Sequence, residues 1–153
     1  RDKEGRFGIM EFERSIDIGR PVGDVFAFLV DVKNNASWEK DVVEMEYTSE
    51  GPVGVGSTGR RVEKMMGTDV SEWEITQYEE SKHLGIKFES PRFQGTVAFD
   101  LEPSGDGTRL AFQMRGTTKG LVSKLLVPIF MPIARGQLRK NFDTLKGILE
   151  SQQ

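Results

Sequence analysis

Residues 121–150 read LVSKLLVPIFMPIARGQLRKNFDTLKGILE, and their pattern decides the fold. Met131, Ala134, Leu138, Phe142, Leu145 and Leu149 recur at three- and four-residue spacing and form one stripe, with Ile148 at its edge. Arg139, Lys140, Asp143 and Gly147 take the other side. That spacing predicts an amphipathic helix lying on a sheet. Pro128 and Pro132 each remove a backbone donor and crowd the preceding turn, which predicts an irregular or kinked segment there and a regular helix from about Met131 onward. Leu121–Ala134 is also more apolar than one core-facing stripe requires. Apolar surface in excess of packing goes to a ligand, a partner or a membrane.

The chain upstream reads as strands. In residues 7–18, Met10, Phe12, Ile16 and Ile18 alternate with Glu11, Glu13, Ser15 and Asp17, the period of a half-buried strand. Gly19-Arg20-Pro21 ends it, and Pro21 suits the first turn of a helix. Val22, Val25, Phe26 and Leu29 then lie on one helical face, and a second short helix or turn covers Asn34 to Trp38. Further strands are centred on Val43–Tyr47, Thr58–Met66, Val70–Tyr78, Leu84–Phe88, Val97–Leu101 and Leu110–Met114. Gly51-Pro52-Val53-Gly54-Val55-Gly56 and Pro103-Ser104-Gly105-Asp106-Gly107 are turn-rich breaks. Strands joined by short turns predict an antiparallel sheet.

Composition narrows the chemistry. At 153 residues the chain suits one domain over 1–153, with a core of about 7–150. It has no cysteine, which excludes disulfides and thiol nucleophiles, and one histidine, His83, which excludes a multi-His metal site. A net charge of -3 gives no reason to expect nucleic acid. No apolar run reaches the ~18–20 residues of a membrane span. With no cleavable signal recognisable at the start, the cytoplasm is the expected location.

Several short motifs go further. Ser15-Ile16-Asp17-Ile18, Pro21-Val22…Val25-Phe26…Leu29, Trp38, Gly54-Val55-Gly56 and Gly107-Thr108-Arg109-Leu110, in that order and spacing, resemble the START and polyketide-cyclase-like superfamily, SRPBCC. The resemblance runs from about Phe7 to Leu149. It implies the α+β helix-grip fold: a curved seven-stranded antiparallel sheet wrapped around the long C-terminal helix, two short helices after the first strand, and a deep, mostly apolar cavity. It does not choose among lipid carriers, hormone receptors, cyclases and co-chaperones.

Inward strand positions, the helix stripe and this resemblance together bound the expected ligand cavity with Trp38, Met66, Trp73, Phe99, Phe112, Phe130, Ala134, Leu138 and Asn141. Asn141 falls inside the apolar stripe, where a buried amide needs partners. It either orients a ligand carbonyl or hydroxyl, or bonds to the sheet or a trapped water. Trp38 lines the mouth or caps the core, and Trp73 is core or cavity wall. His83 follows Glu79-Glu80-Ser81-Lys82 with no recognisable partner and reads as a surface side chain. Glu72, Glu74, Glu79 and Glu80 read as a solvated strand face, and Arg60-Arg61 and Arg135-Arg139-Lys140 as solvent charges. Arg135 has a second reading, as a partner for an acidic head group. The glycines form no phosphate-binding loop.

These readings converge on a carrier or sensor for a small hydrophobic molecule: a lipid, an isoprenoid or a polyketide-like aromatic. No catalytic residue, metal or cofactor is assigned. An alternative is a cyclase or aromatase, which needs an acid or base inside the cavity. Another is an interaction module presenting Leu121–Ala134 to a protein or membrane. Residues 121–132, with the Met65–Gly67 turn opposite, are expected either to form a mobile gate or to pack directly against the core. Ligand identity and oligomeric state are not legible.

Overall fold

The computed structural model describes residues 8–65 and 67–152. β1 (Ile9–Ile18) leads into α1 (Val22–Val30), a 3-10 turn (Val32–Asn34) and the short α2 (Asn35–Trp38). β2 (Val42–Tyr47), β3 (Thr58–Lys64), β4 (Thr68–Glu79), β5 (His83–Glu89), β6 (Phe93–Ser104) and β7 (Gly107–Thr118) follow, and α3 (Leu121–Ser151) closes the chain. The seven strands form one sheet in the order β1-β7-β6-β5-β4-β3-β2, each pair antiparallel. This is the helix-grip arrangement the motifs imply.

Local chemistry explains the curvature. Register shifts between Val42 and Glu44 and between Ile75 and Gln77 bend their strands, as bulges do. Gly95 lies opposite Gly116. A Cβ on the first would collide with the Arg115 carbonyl, and one on the second would sit 2.8 Å from the Gln94 carbonyl. Only glycines allow β6 and β7 to approach so closely at that bend.

The core lies where the sheet meets the C-terminal half of α3. Phe142, Leu145 and Leu149 are fully buried there with Ile18, Val25, Ile75 and Leu110. Phe142 is the hub: its ring centroid lies 4.7 Å from Phe112, 5.3 Å from Trp38 and 6.5 Å from Phe12. Polar contacts clamp the same half. Arg14 donates to Asp143 at 2.7 Å and to the Arg139 carbonyl; Arg20 reaches the Leu149 carbonyl at 2.8 Å; the Gly19 N–H meets Glu150 at 2.8 Å.

One sequence expectation is corrected. The helix does not become regular only at Met131; it is continuous from Leu121. Pro128 and Pro132 are both exposed and, four residues apart, share a face. The carbonyls they leave without intrahelical donors, those of Lys124 and Pro128, belong to that face and can be met by water. Val127 and Met131, on a neighbouring face, bury against Met10 and hold the segment helical.

Candidate functional site

Between the sheet and α3 lies a cavity of about 210 Å³. Alternation along the strands builds its walls: Ile86 and Phe88 from β5, Val97 and Phe99 from β6, Phe112 and Met114 from β7. α3 contributes Phe130, Met131, Ala134, Gln137, Leu138, Asn141 and Phe142, and α2 contributes Asn35 and Trp38. Of the residues expected to bound a cavity, Trp38, Trp73, Phe99, Phe112, Phe130, Ala134, Leu138 and Asn141 line this one. Met66 lies outside the described residues; its neighbour Met65 lines the cavity.

Asn141 is buried, and protein groups use its carbonyl oxygen. It accepts from Gln137 at 2.8 Å and from the Lys40 N–H at 3.3 Å. The amide therefore ties α3 to the loop after α2. Trp73 lies flat over β3 because its cross-strand partner is Gly59, where a Cβ would collide with the indole. Tyr47 packs edge-on against Trp73 at 5.1 Å and donates to the Val30 carbonyl at 2.7 Å. Burial, with Tyr78 and Asp31 nearby, pushes the Tyr47 phenol up to about 12.

The cavity also has a charged end that sequence reading missed. Arg60 is exposed and pairs with Glu44 at 2.9 Å, but Arg61 points inward, against the expectation that both meet solvent. Successive strand residues face opposite sides, so an Arg-Arg pair within a strand must send one guanidinium in; that signal was available. Arg61 donates to both oxygens of Glu39, each at 2.9 Å, and through Nε to Glu63 at 2.6 Å. Asn35 Nδ2 donates to Glu39 at 2.7 Å. Burial alone would lower the Arg61 pKa and is the largest single influence. The charges and hydrogen bonds of Glu39 and Glu63 outweigh it and hold Arg61 above its ordinary value.

The remaining candidates lie elsewhere. His83 has a partner after all: the β5–β6 register sets it opposite Asp100, with Nδ1 2.5 Å from the carboxylate and Nε2 2.5 Å from Gln77. None of the three lines the cavity. Glu72, Glu79 and Glu80 are exposed and Glu74 partly so. Arg135 does not reach the cavity; it donates to the Glu11 carbonyl at 3.2 Å.

A family model described as polyketide cyclase / dehydrase and lipid transport matches residues 10–150. The chain belongs to that family. Solved structures carry the same fold. A START superfamily protein from Mycobacterium smegmatis has a TM-score of 0.78 at 16% identity, over 94% of this chain and 99% of that one. The Zhui aromatase/cyclase from Streptomyces sp. R1128 has 0.76 at 11%, over 93% and 94%. TTHA0849 from Thermus thermophilus has 0.76 at 16%, over 94% and 98%. At these identities the likeness is one of fold. No curated protein matches the sequence.

Proposed function

We propose that this protein binds and carries a small, largely apolar molecule (a lipid, an isoprenoid or a polyketide-like aromatic) as a single cytoplasmic domain. The observation that carries the reading is the aromatic-walled cavity between sheet and α3. In this reading Trp38, Trp73, Phe99, Phe112, Phe130, Ala134, Leu138 and Asn141 contact the ligand. Burying its apolar surface contributes about 25 cal/mol per Å². A cyclase needs a free acid or base facing the ligand. Both oxygens of Glu39 are taken by Arg61, and the His83–Asp100 pair lies away from the cavity. Glu63 is held by Arg61 as well, and Asp41 is the remaining carboxylate of the lining; binding needs none of these groups and is the reading that the apolar walls carry. The test is titration with the neutral apolar dye N-phenyl-1-naphthylamine, with native mass spectrometry of protein purified from its own host. Saturable one-to-one dye uptake and a co-purified apolar molecule are expected. A folded protein that shows neither would retire the reading.

A second reading concerns where the ligand is collected. Leu121, Val122, Leu125, Leu126, Ile129 and Ile133 are exposed along the first half of α3. Residues 119–140 contain no Asp or Glu but five cations, Lys119, Lys124, Arg135, Arg139 and Lys140, of which Lys119 pairs with Glu89. An exposed apolar helix face on a segment whose only charges are basic matches an anionic bilayer surface. No helix among the described residues is long and apolar enough to cross a membrane. Co-sedimentation with vesicles containing phosphatidylglycerol, weakened by salt and by Ile129→Asp, is the expected result. Equal pelleting with neutral phosphatidylcholine vesicles would remove the charge argument.

A further inference from the structure

The chain has six methionines. Five of them, Met10, Met45, Met65, Met114 and Met131, line the cavity. The sixth, Met66, lies outside the described residues. The five come from separate parts of the chain: β1, β2, the turn after β3, β7 and α3. A methionine side chain is unbranched, turns about several bonds and fills irregular space, so a wall of thioethers takes the shape of what it meets.

The five are not spread evenly. Met10 and Met131 pack with Val127 in a small cluster of their own, which Met114, Phe93 and Phe130 adjoin. Arg92 donates to the Met65 carbonyl at 3.4 Å and so draws the turn after β3 toward the start of β6, which carries Phe93. Of the five, Met45 alone stands at the charged end, its sulfur 3.9 Å from Arg61. That end is rigid. Phe142 follows Met131 on α3 by about three turns (~16 Å) and packs among Phe112, Trp38 and Phe12. Arg61 is held there by Glu39 and Glu63. The methionine end is covered by the half of α3 whose other faces are exposed. The bend in the sheet gives Met10 its space, since a Cβ on Gly116 would stand 3.4 Å from Met10 Cε.

At about 210 Å³ the cavity is smaller than the about 300–1,000 Å³ of pockets that enclose whole ligands, so a larger occupant needs space that the resting walls do not give. We infer that the cavity lengthens at its methionine end, so that the protein takes apolar ligands over a range of lengths rather than one length, the variable part of each lying against Met10, Met114 and Met131. The inference rests on the binding reading above and goes further by naming the residues that set length selectivity. The aromatic end fixes one limit, because its rings already pack on one another. At the other end a longer ligand displaces flexible side chains, and each methylene it adds leaves water for apolar surface. A wall of β-branched residues, stiff at χ1, would stop the ligand at a fixed length.

The experiment displaces N-phenyl-1-naphthylamine with the even-numbered 1-alkanols from hexanol to tetradecanol, using wild type, the double variant Met114→Ile/Met131→Ile, and Met45→Ile. Isoleucine keeps the apolar volume and removes the flexibility. Wild-type affinity should rise about fourfold per added methylene through tetradecanol, the gain from burying each one. In the double variant the gain should stop near decanol, so that the tetradecanol-to-octanol affinity ratio falls at least about tenfold. Met45→Ile should keep the wild-type ratio. If circular dichroism shows the double variant unfolded, Met114→Ile alone takes its place, with a fall in the same ratio expected. A wild-type profile that stops gaining at decanol would overturn the inference and leave the binding reading standing. So would an unchanged ratio in the folded variant, or an equal fall in Met45→Ile. If neither the dye nor any alkanol binds, the binding reading itself falls, and this inference with it.

Discussion

The two halves of α3 make the most instructive contrast in the molecule. Residues 121–133 form the more apolar half, yet Leu121, Val122, Ile129 and Ile133 are each at least 67% exposed. Residues 138–149 are rich in charge, yet Phe142, Leu145 and Leu149 are at most 1% exposed. Burial here follows the partner surface rather than the hydrophobicity of the segment. A helix of 31 residues extends about 46 Å, whereas β1, its main neighbour, has 10 residues and extends about 33 Å. The helix is longer than the strand beside it. One half receives a complete wall of side chains and the clamps from Arg14, Gly19 and Arg20, while the other, among the described side chains, buries Val127 and Met131.

The largest test of this contrast is truncation in each half. Phe142→Ala should cost about 3–5 kcal/mol and Leu145→Ala about 2–5 kcal/mol. Ile129→Ala and Ile133→Ala should stay within about 0.5 kcal/mol, as surface changes do. Urea unfolding of the four variants checks this, and a large loss at Ile129 would show that the exposed half is packed in solution. Hydrogen exchange probes the same difference without mutation. Amides of residues 121–132 should exchange at least about tenfold faster than those of 138–149, an opening difference of about 1.4 kcal/mol, and should slow when ligand binds. Equal protection in both halves would remove the gate expected from the two prolines.

Ala134 marks the boundary between the halves and lines the cavity. Ala134→Trp should fill that space and lower affinity for N-phenyl-1-naphthylamine at least about tenfold, a loss near 1.4 kcal/mol. Undiminished dye binding by the folded variant would move the site elsewhere. The smallest effect concerns the end of the clamped half. The hydrogen bond from Lys146, then that from the Gly19 N–H, hold the Glu150 carboxyl below its ordinary value of 4.5. A carboxyl lowered on folding stabilises the fold above its unfolded pKa, and that contribution is lost as pH falls through the folded value. Stability should therefore decline less steeply below pH 4.5 in Glu150→Gln than in wild type, as measured by thermal midpoints across an acid series. Parallel curves would show that Glu150 does not anchor the helix end.

The order of elements, the antiparallel sheet and the gripping face of α3 were legible because each rests on a local period or a turn residue. Met10, Phe12 and Ile18 alternate inward as read. Gly105, at a φ of 61°, makes the two-residue turn between β6 and β7. The expected cavity walls were drawn from the same periods together with the family resemblance. Strand ends were less legible: β4, β6 and β7 each run 12 residues, beyond their hydrophobic centres, because pairing with a neighbour continues where the apolar pattern stops.

What the sequence by itself determined is which faces are apolar, since side-chain direction along a helix or strand repeats with a short, known period. The tertiary structure alone decided what those faces meet. The turn after α2 brought Glu39 within 2.9 Å of Arg61, 22 residues later, and register set His83 against Asp100, away from the cavity. Sheet dimensions left one half of α3 without a cover. Pairings of this kind depend on strand order, twist and the relative lengths of packed elements, and no window of sequence contains those quantities.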